Sequence, residues 1–255
     1  LSGGRRKIMK YVDQVCPNQV MRYHHVDFPV MKTAIEVHFT PSYMFCPIHN
    51  SRMQKWFGKV MGEQCNHRVS LPDGYGEIHV PHVSFNVIYI LSHLYRHIFT
   101  EGIGLRQLLD YYFVLVKWHT NLTNLTDSNK SLPQMTQINT DLDTLRHELK
   151  YLGLWKFAQA VMFVMKEVFG LSEDRMIAPM DEREGRFLLD EIMRGGNFGQ
   201  FDDRMGSKVG ESKIHRYFRM NFRNLRFVKH YPTEALSEPL FRTWFAVWKN
   251  IHGIR

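Results

Sequence analysis

Glu36 and His38 stand two positions apart in an alternating segment near the N-terminus, IEVHF over residues 35–39. In a β-strand, that spacing projects both side chains from one face. Glu36 could supply part of a metal coordination sphere, or act as a base on an acceptor hydroxyl. His38 could orient a phosphate or a metal-bound water. The alternative for Glu36 is an exposed residue of an amphipathic strand.

His93 and His97 lie four residues apart in an apolar segment that spans residues 81–104. This spacing places both rings on one face of a helix. It permits zinc binding, but the glutamate of the HExxH motif is missing because position 94 is Leu. We therefore expect the two histidines either to line a nucleotide or phosphate cleft or to bond to neighbours at the edge of the core.

Arg106 and Asp110 follow a predicted break between two helices, at Gly102 and Gly104. Glycine allows the chain to turn there through conformations that other residues disfavour. At the start of the second helix, backbone N–H groups and the Arg106 guanidinium can converge on a phosphate. The alternative is an ion pair between Arg106 and Asp110 on the helix surface.

Four arginines recur at steps of three and four residues within the segment 212–230: Arg216, Arg219, Arg223 and Arg226. These steps predict one basic stripe along an amphipathic helix, with the apolar residues roughly opposite. One interpretation is a solvated arginine face on a helix that packs against its neighbours. The other is a surface for phosphates or anionic lipid headgroups, which the planar guanidinium group favours.

Composition limits the class of protein without choosing its ligand. The chain has 255 residues, enough for one large domain or two small ones, and a net charge of +8 that favours an anionic partner. Its three cysteines form neither a disulfide framework nor a CxxC metal site, which predicts a reducing cytoplasm. No apolar run reaches transmembrane length, and no signal peptide opens the chain.

The elements that must position these residues predict an α+β fold. Two short antiparallel strand pairs are expected before residue 80, over 20–39 and 68–80. A helical body is expected from Pro81 onward, which suggests an α/β region over 1–80 and a helical domain over 81–255. The polar segment 120–140 is expected to be a loop or a boundary, and 195–210 a flexible glycine-rich loop.

Several motifs together resemble a known family: IEVHF, HLYRH, GIGLRQLLD, HHVDFPV and DEREGRFLLDEIMRGGNFG. They are similar to the uncharacterised nucleotidyltransferase family common in gut Bacteroidetes, a distant relative of polymerase-β-type nucleotidyltransferases. The resemblance implies transfer of a nucleotidyl group from an NTP to an unknown acceptor, with Mg²⁺ as cofactor. It places Glu36 at the position of the third metal-binding carboxylate.

The chain departs from the family pattern at its start. The family has a glycine–serine turn followed by Asp-x-Asp, whereas only LSGG stands before Arg5. Asp141 and Asp143 have that spacing, but they precede a predicted helix and are expected to cap it. We therefore expect this chain alone to be inactive in transfer, or else to be a non-catalytic module that binds an anionic partner or membrane surface. The transferase interpretation predicts that Glu36 and Arg106 share one cleft.

Overall fold

The computed structural model describes residues 5–17, 19, 22–28, 33, 35–64, 67–128, 134–195 and 212–251. Within these ranges the chain forms nine helices and two separate antiparallel sheets of two strands each. The structure is 71% helical. The predicted α+β fold, with short antiparallel strands ahead of a helical body, is confirmed.

The elements follow one another in a simple order. The N-terminal part contains α1 (Arg5–Val15), β1 (His25–Asp27), β2 (Glu36–His38), α2 (Pro47–Gln64), β3 (Arg68–Ser70) and β4 (Glu77–His79). The remainder is helical and comprises α3 (Val83–Thr100), α4 (Leu105–Ser128), α5 (Gln134–Tyr151), α6 (Trp155–Phe169), α7 (Glu182–Gly195), α8 (Lys213–Val228) and α9 (Pro232–Ile251). The predicted break between α3 and α4 is confirmed, with Gly102 at a φ of 87°.

The β1–β2 pair has one apolar and one polar face. Val26 and Val37 are cross-strand partners, and Val26 is fully buried. Their face packs against Ile8 and Val12 of α1 in a small separate core. Because side chains alternate across a strand, the ionisable residues on either side of the valines point the other way. The apolar face thus anchors the hairpin and leaves its polar face available for a site.

The helical body packs around α6, whose residues are buried along nearly its whole length. Helix α7 lies close to α6 at Gly185, where an added Cβ would approach the Phe163 side chain to 2.3 Å. A side chain at position 185 would therefore push the two helices apart. This contact explains why an otherwise poor helix former stands inside α7.

The main core contains residues from both sides of the predicted boundary at residue 80. Met44, Met53 and Phe57 belong to the same buried cluster as residues of α3, α4 and α6. The change from the small separate core to the main core comes earlier in the chain, between the hairpin β1–β2 and α2. Helix α2, which is apolar on one side, therefore packs into the same core as the helical domain predicted over 81–255.

One of the two predicted irregular segments is largely helical. Helix α4 continues to Ser128 and α5 begins at Gln134, so most of the segment 120–140 is helix. Asp141 and Asp143 consequently lie inside α5 and do not cap it. The segment 195–210 lies outside the described residues except for Gly195, which ends α7. In the ranges that the structure describes, no helix combines the length and apolar character needed to cross a bilayer.

Candidate functional site

The polar face of the β1–β2 hairpin carries two cross-strand pairs of ionisable residues. His25 faces His38, and Asp27 faces Glu36. Directly opposite residues of an antiparallel pair share a face, and like charges there destabilise the pair. The ring of His25 lies near both carboxylates, with Nε2 3.8 Å from Asp27 Oδ1 and 3.7 Å from Glu36 Oε1. The hairpin therefore places a basic ring where its two acidic groups would otherwise repel each other.

Glu36 and His38 project from the same strand face and contact each other. His38 Nε2 is hydrogen-bonded to Glu36 Oε2 at 3.1 Å. The Glu36 side chain is 54% exposed, whereas that of His38 is 28% exposed. One carboxylate is thus held by a histidine and remains accessible to a ligand.

His24 fills the space behind this face. It is buried, and its Nε2 is hydrogen-bonded to His25 Nδ1 at 3.1 Å. Burial, reinforced by the nearby Arg96 guanidinium, lowers the pKa of His24 to about 2. The ring is therefore neutral at physiological pH, and it orients His25 without adding charge.

Helix α3 forms the facing wall with three basic side chains on consecutive turns. His93 Nε2 and His97 Nε2 are 2.9 Å apart, and Arg96 Nη2 lies 3.2 Å from His97 Nε2. Burial, followed by the charges of His97 and Arg96, lowers the pKa of His93 to about 3. On its other side, His97 Nδ1 lies 3.2 Å from a carboxylate oxygen of Glu101. The two histidines are bonded to neighbours, as one of the sequence alternatives predicted, and they also line a cavity.

The hairpin, α3 and the end of α9 enclose a polar cavity of about 670 Å³. Its lining combines cationic, anionic and aromatic groups: Arg22, Tyr23, His24, His25, Asp27, Glu36, Tyr43, His93, Arg96, His97, Thr100, Glu101, Phe245 and Lys249. The volume is in the range of sites for small molecules and cofactors. Residues from the beginning, middle and end of the chain therefore meet at one site.

Arg96 is the most unusual member of this lining. It is only 8% exposed, and its guanidinium stacks over the Tyr43 ring at 5.0 Å. Among the described residues no carboxylate lies within ion-pair distance of it, and its Nε has no hydrogen-bond partner. A buried cation is costly unless an anion or several acceptors compensate it. The cavity thus contains a charge for which a bound anion would be the natural partner.

Arg106 and Asp110 do not contribute to this cavity. Both are exposed on α4, and neither is among the lining residues. The prediction that Glu36 and Arg106 share a cleft is therefore wrong. Glu36 shares the cavity with His93 and His97, and the arginines that line it are Arg22 and Arg96.

Two arginines of the predicted stripe on α8, Arg223 and Arg226, do not belong to a solvated face. Arg223 is buried and donates hydrogen bonds to the carbonyl oxygens of Ile98, Phe99 and Thr100, at 3.0–3.3 Å. Arg226 is ion-paired with Glu191 of α7. The last carbonyls of α3 have no partners within their own helix, and Arg223 satisfies them.

The other residues of α8 agree with an orientation that turns Arg223 and Arg226 towards α3 and α7. Arg219 is half-buried, and the side chain of Arg216 lies outside the described residues. Phe218, Phe222 and Leu225 are exposed, although amphipathicity predicted that Phe218 and Leu225 would be on the buried side. The interpretation of these arginines as one surface for an anionic partner is therefore not supported for Arg223 and Arg226.

A second cluster of possible metal ligands, Cys46, His49 and Glu234, has a structural explanation. The buried Glu234 carboxylate accepts hydrogen bonds from the backbone N–H groups of Phe45 and Cys46, at 2.7 and 3.1 Å. It is also bonded to His49 Nδ1 at 3.0 Å. These donors surround the start of α2, where a negative charge is favourable. Glu234 therefore caps α2 from α9.

The side chains around Glu36 do not match the magnesium that the family resemblance implies. Magnesium prefers an octahedral shell of oxygen atoms and retains several waters. Here two imidazoles, from His25 and His38, flank the carboxylate, and the three residues offer ligand atoms within 4.8 Å of one another. Imidazole is a typical ligand of zinc and other transition metals. The donor set thus does not fit a resident Mg²⁺.

Sequence reasoning missed His24, His25, Asp27 and Arg96. Two signals were available: HVD over 25–27 mirrors EVH over 36–38, and Arg96 interrupts an otherwise apolar helix. A charged residue on the buried side of a helix requires a partner, and it is for that reason a site candidate.

Comparison of the chain with family models, with curated proteins and with solved structures found no match. The likeness to nucleotidyltransferases stays a prediction made from motifs, and the site is interpreted from its own geometry.

Proposed function

We propose that the cavity binds the phosphate groups of a nucleotide, and that it serves nucleotidyl transfer from an NTP to an acceptor. The observation that carries this proposal is the buried Arg96, which lacks a carboxylate partner among the described residues and lines the cavity. Phosphate oxygens would accept hydrogen bonds from its guanidinium, and their charge would compensate the buried cation.

Cationic side chains other than Arg96 also line the cavity, together with three carboxylates, those of Asp27, Glu36 and Glu101. Arg22 and Lys249 provide further cationic side chains in the lining. The neighbouring Tyr23 and Phe245 rings pack edge to face at 5.4 Å between centroids and give the cavity an apolar part. A nucleotide has the same division, with a charged phosphate chain and an aromatic base that favours stacking.

The position of Glu36 suggests its part in the transfer step. The acceptor oxygen attacks the α-phosphorus, the bond from that phosphorus to the departing pyrophosphate breaks, and the acceptor hydroxyl loses its proton. The Glu36 carboxylate is accessible and held by His38, so it is placed to accept that proton. Arg96 would hold the phosphate charge during the same step.

Nucleotide binding is tested with the full chain by isothermal titration calorimetry, using the four NTPs in the presence of EDTA. We expect at least one NTP to bind, and Arg96→Gln to weaken binding by at least about 30-fold, because a buried charge contact is lost. Arg106→Gln is the matched control, since Arg106 is exposed and outside the cavity. Absence of binding, or equal loss in both variants, would contradict the proposal.

Transfer is tested separately with α-labelled NTPs, added divalent metal and a mixture of candidate acceptors. Although the missing Asp-x-Asp predicts an inactive chain, the proposal predicts incorporation of label that Glu36→Gln reduces at least tenfold with little change in nucleotide affinity. Glu77→Gln, an exposed glutamate in the second hairpin, is the control. Nucleotide binding without any transfer would favour the alternative, a non-catalytic module that binds an anionic ligand, and would overturn the transferase part of the proposal.

A further inference from the structure

We infer that His25, Glu36 and His38 form a binding site for a divalent first-row transition metal ion of the zinc class. The three side chains belong to one face of the β1–β2 hairpin, and their ligand atoms lie within 4.8 Å of one another. Two imidazoles and one carboxylate form a donor set that suits zinc, cobalt or iron(II).

The distances between the ligand atoms are close to those expected in a metal-bound site. Bonds of 2.0–2.1 Å in tetrahedral geometry would place neighbouring ligand atoms about 3.3 Å apart. His38 Nε2 is 3.1 Å from Glu36 Oε2, and His25 Nε2 is 3.7 Å from Glu36 Oε1. The second distance is too long for a hydrogen bond. The two side chains are within ion-pair distance, and an ion bound between them would bring their ligand atoms slightly closer.

The hydrogen bond that orients the ligand His25 resembles those found in known metal sites. Metal-binding histidines commonly use their second ring nitrogen in a hydrogen bond that fixes the ring. His25 has this bond, because its Nδ1 contacts His24 Nε2 at 3.1 Å and leaves Nε2 facing the carboxylates. Val26, which lies between His25 and Asp27 in β1, is buried and anchors the hairpin itself.

The local charge also favours a dication. Asp27 and Glu36 stand directly opposite each other, which costs free energy as long as both are ionised and uncompensated. A metal ion bound by Glu36 and the two histidines would reduce this repulsion. Asp27 Oδ1 is 3.8 Å from His25 Nε2, close enough to serve as a further ligand or to bond a metal-bound water.

The second hairpin provides an internal control. Strand β4 reads Glu77-Ile78-His79, nearly the same as Glu36-Val37-His38 in β2. Its cross-strand partners, however, are Ser70 and Arg68 in place of an acid and a histidine. Arg68 Nη1 lies 3.6 Å from Glu77 Oε2 and already provides the positive charge. The tripeptide is therefore present twice, but the donor set is complete only in the first hairpin.

Metal binding at this hairpin extends the proposed function but does not depend on it. The probe is the metal alone, without nucleotide, added to the full chain after removal of metal with a chelator. Zn²⁺ affinity is measured by competition with a chromophoric chelator, and Co²⁺ serves as a spectroscopic substitute. We expect one Zn²⁺ per chain to bind, and 10 mM Mg²⁺ to leave that affinity unchanged.

Matched variants assign the ligands. His38→Gln and Glu36→Gln should each weaken Zn²⁺ binding at least tenfold and remove the visible Co²⁺ bands. His79→Gln and Glu77→Gln, at the equivalent positions of the second hairpin, should leave both readouts unchanged. Circular dichroism confirms that each variant folds, and Glu36→Gln is the mildest because its side chain is more than half exposed.

The inference is overturned if the wild-type chain binds no Zn²⁺, if Mg²⁺ displaces Zn²⁺ at equal concentration, or if the variants of both hairpins lose affinity equally. Zn²⁺ binding without any NTP binding would refute the proposed function and leave the metal site standing. NTP binding in EDTA without Zn²⁺ binding would refute the metal site and leave the proposed nucleotide binding standing.

Discussion

Two hairpins of this chain contain nearly the same tripeptide, but the first lines the polar cavity whereas the strands of the second are exposed. Glu36-Val37-His38 and Glu77-Ile78-His79 each lie in a three-residue strand with one antiparallel partner. In the first hairpin the central apolar pair packs against α1, whereas in the second Val69 and Ile78 are more than 40% exposed. A pattern of residue types becomes a site only where its apolar face is anchored and its polar face meets another wall.

The partner strand is the second difference between the hairpins. His25 and Asp27 turn the first into a cluster of two imidazoles and two carboxylates. In the second hairpin, Arg68 forms an exposed ion pair with Glu77, and the residue opposite Glu77 is the neutral Ser70. Pairs of exposed charges contribute little to stability, since solvent screens them. The same glutamate and histidine therefore have different chemistry because of residues that lie about ten positions away.

The largest predicted difference concerns the anchoring valines. Val26→Asp places a charge in a fully buried position and should lower the free energy of unfolding of the hairpin region by about 3 kcal/mol or more. Val69→Asp, at the equivalent position of the second hairpin, should change it by less than about 0.5 kcal/mol because Val69 is 42% exposed. Urea denaturation, monitored by limited proteolysis within residues 22–39 for the first hairpin and 67–80 for the second, measures both. Similar losses in the two variants would show that the anchoring does not differ.

The next prediction uses pH to compare the cavity wall with the exposed hairpin. The pKa of His93 in the folded chain is about 3, below its ordinary value of about 6.5, so the unfolded state binds the proton more readily. His93 therefore stabilises the fold above pH 6.5 and destabilises it as pH falls towards 3. Between pH 7 and pH 5.5, the depressed pKa of His93 should lower the free energy of unfolding by about 1 kcal/mol.

The measurement is the loss of unfolding free energy between those two pH values. His93→Gln should reduce the loss, whereas His79→Gln in the exposed strand β4 should not. An unchanged pH dependence in His93→Gln would show that other groups, such as His24, account for the acid sensitivity.

The smallest predicted effects have opposite signs in the two hairpins. In metal-free protein at pH 8, Glu36→Gln should stabilise the fold by a few tenths of a kcal/mol because it relieves the repulsion from Asp27. Glu77→Gln should destabilise it by a similar amount because it removes the ion pair with Arg68. Thermal unfolding of the two variants side by side tests this contrast. The same sign in both would indicate that the cross-strand partner has no influence.

Much of the fold could be predicted because its signals are local. The helical periodicity of α3 and the glycine break before α4 both appear in a short window of sequence. Alternation in IEVHF likewise predicted that Glu36 and His38 share a strand face. These features depend on the period of a helix or strand, which neighbouring residues determine.

The rest depended on contacts between distant residues. Arg223 was predicted to be solvated because its helix is amphipathic, but the unpaired carbonyls at the end of α3, about 125 residues earlier, bind it instead. Arg106 was predicted to bind phosphate because a helix start is a recognised phosphate site, whereas Arg96 gains importance only once Tyr43 and the β1–β2 hairpin are beside it. Residue type and spacing do not contain this information.

The cavity combines segments that leave the ribosome at very different times. Its hairpin is made first, the α3 wall follows, and Phe245 and Lys249 arrive on the last helix described. Arg223, which ties α8 to the end of α3, also appears late. A nascent chain therefore exposes its histidines and acids long before they can enclose a ligand. The cavity therefore cannot be complete before α9 has been synthesised and has packed against the hairpin and α3.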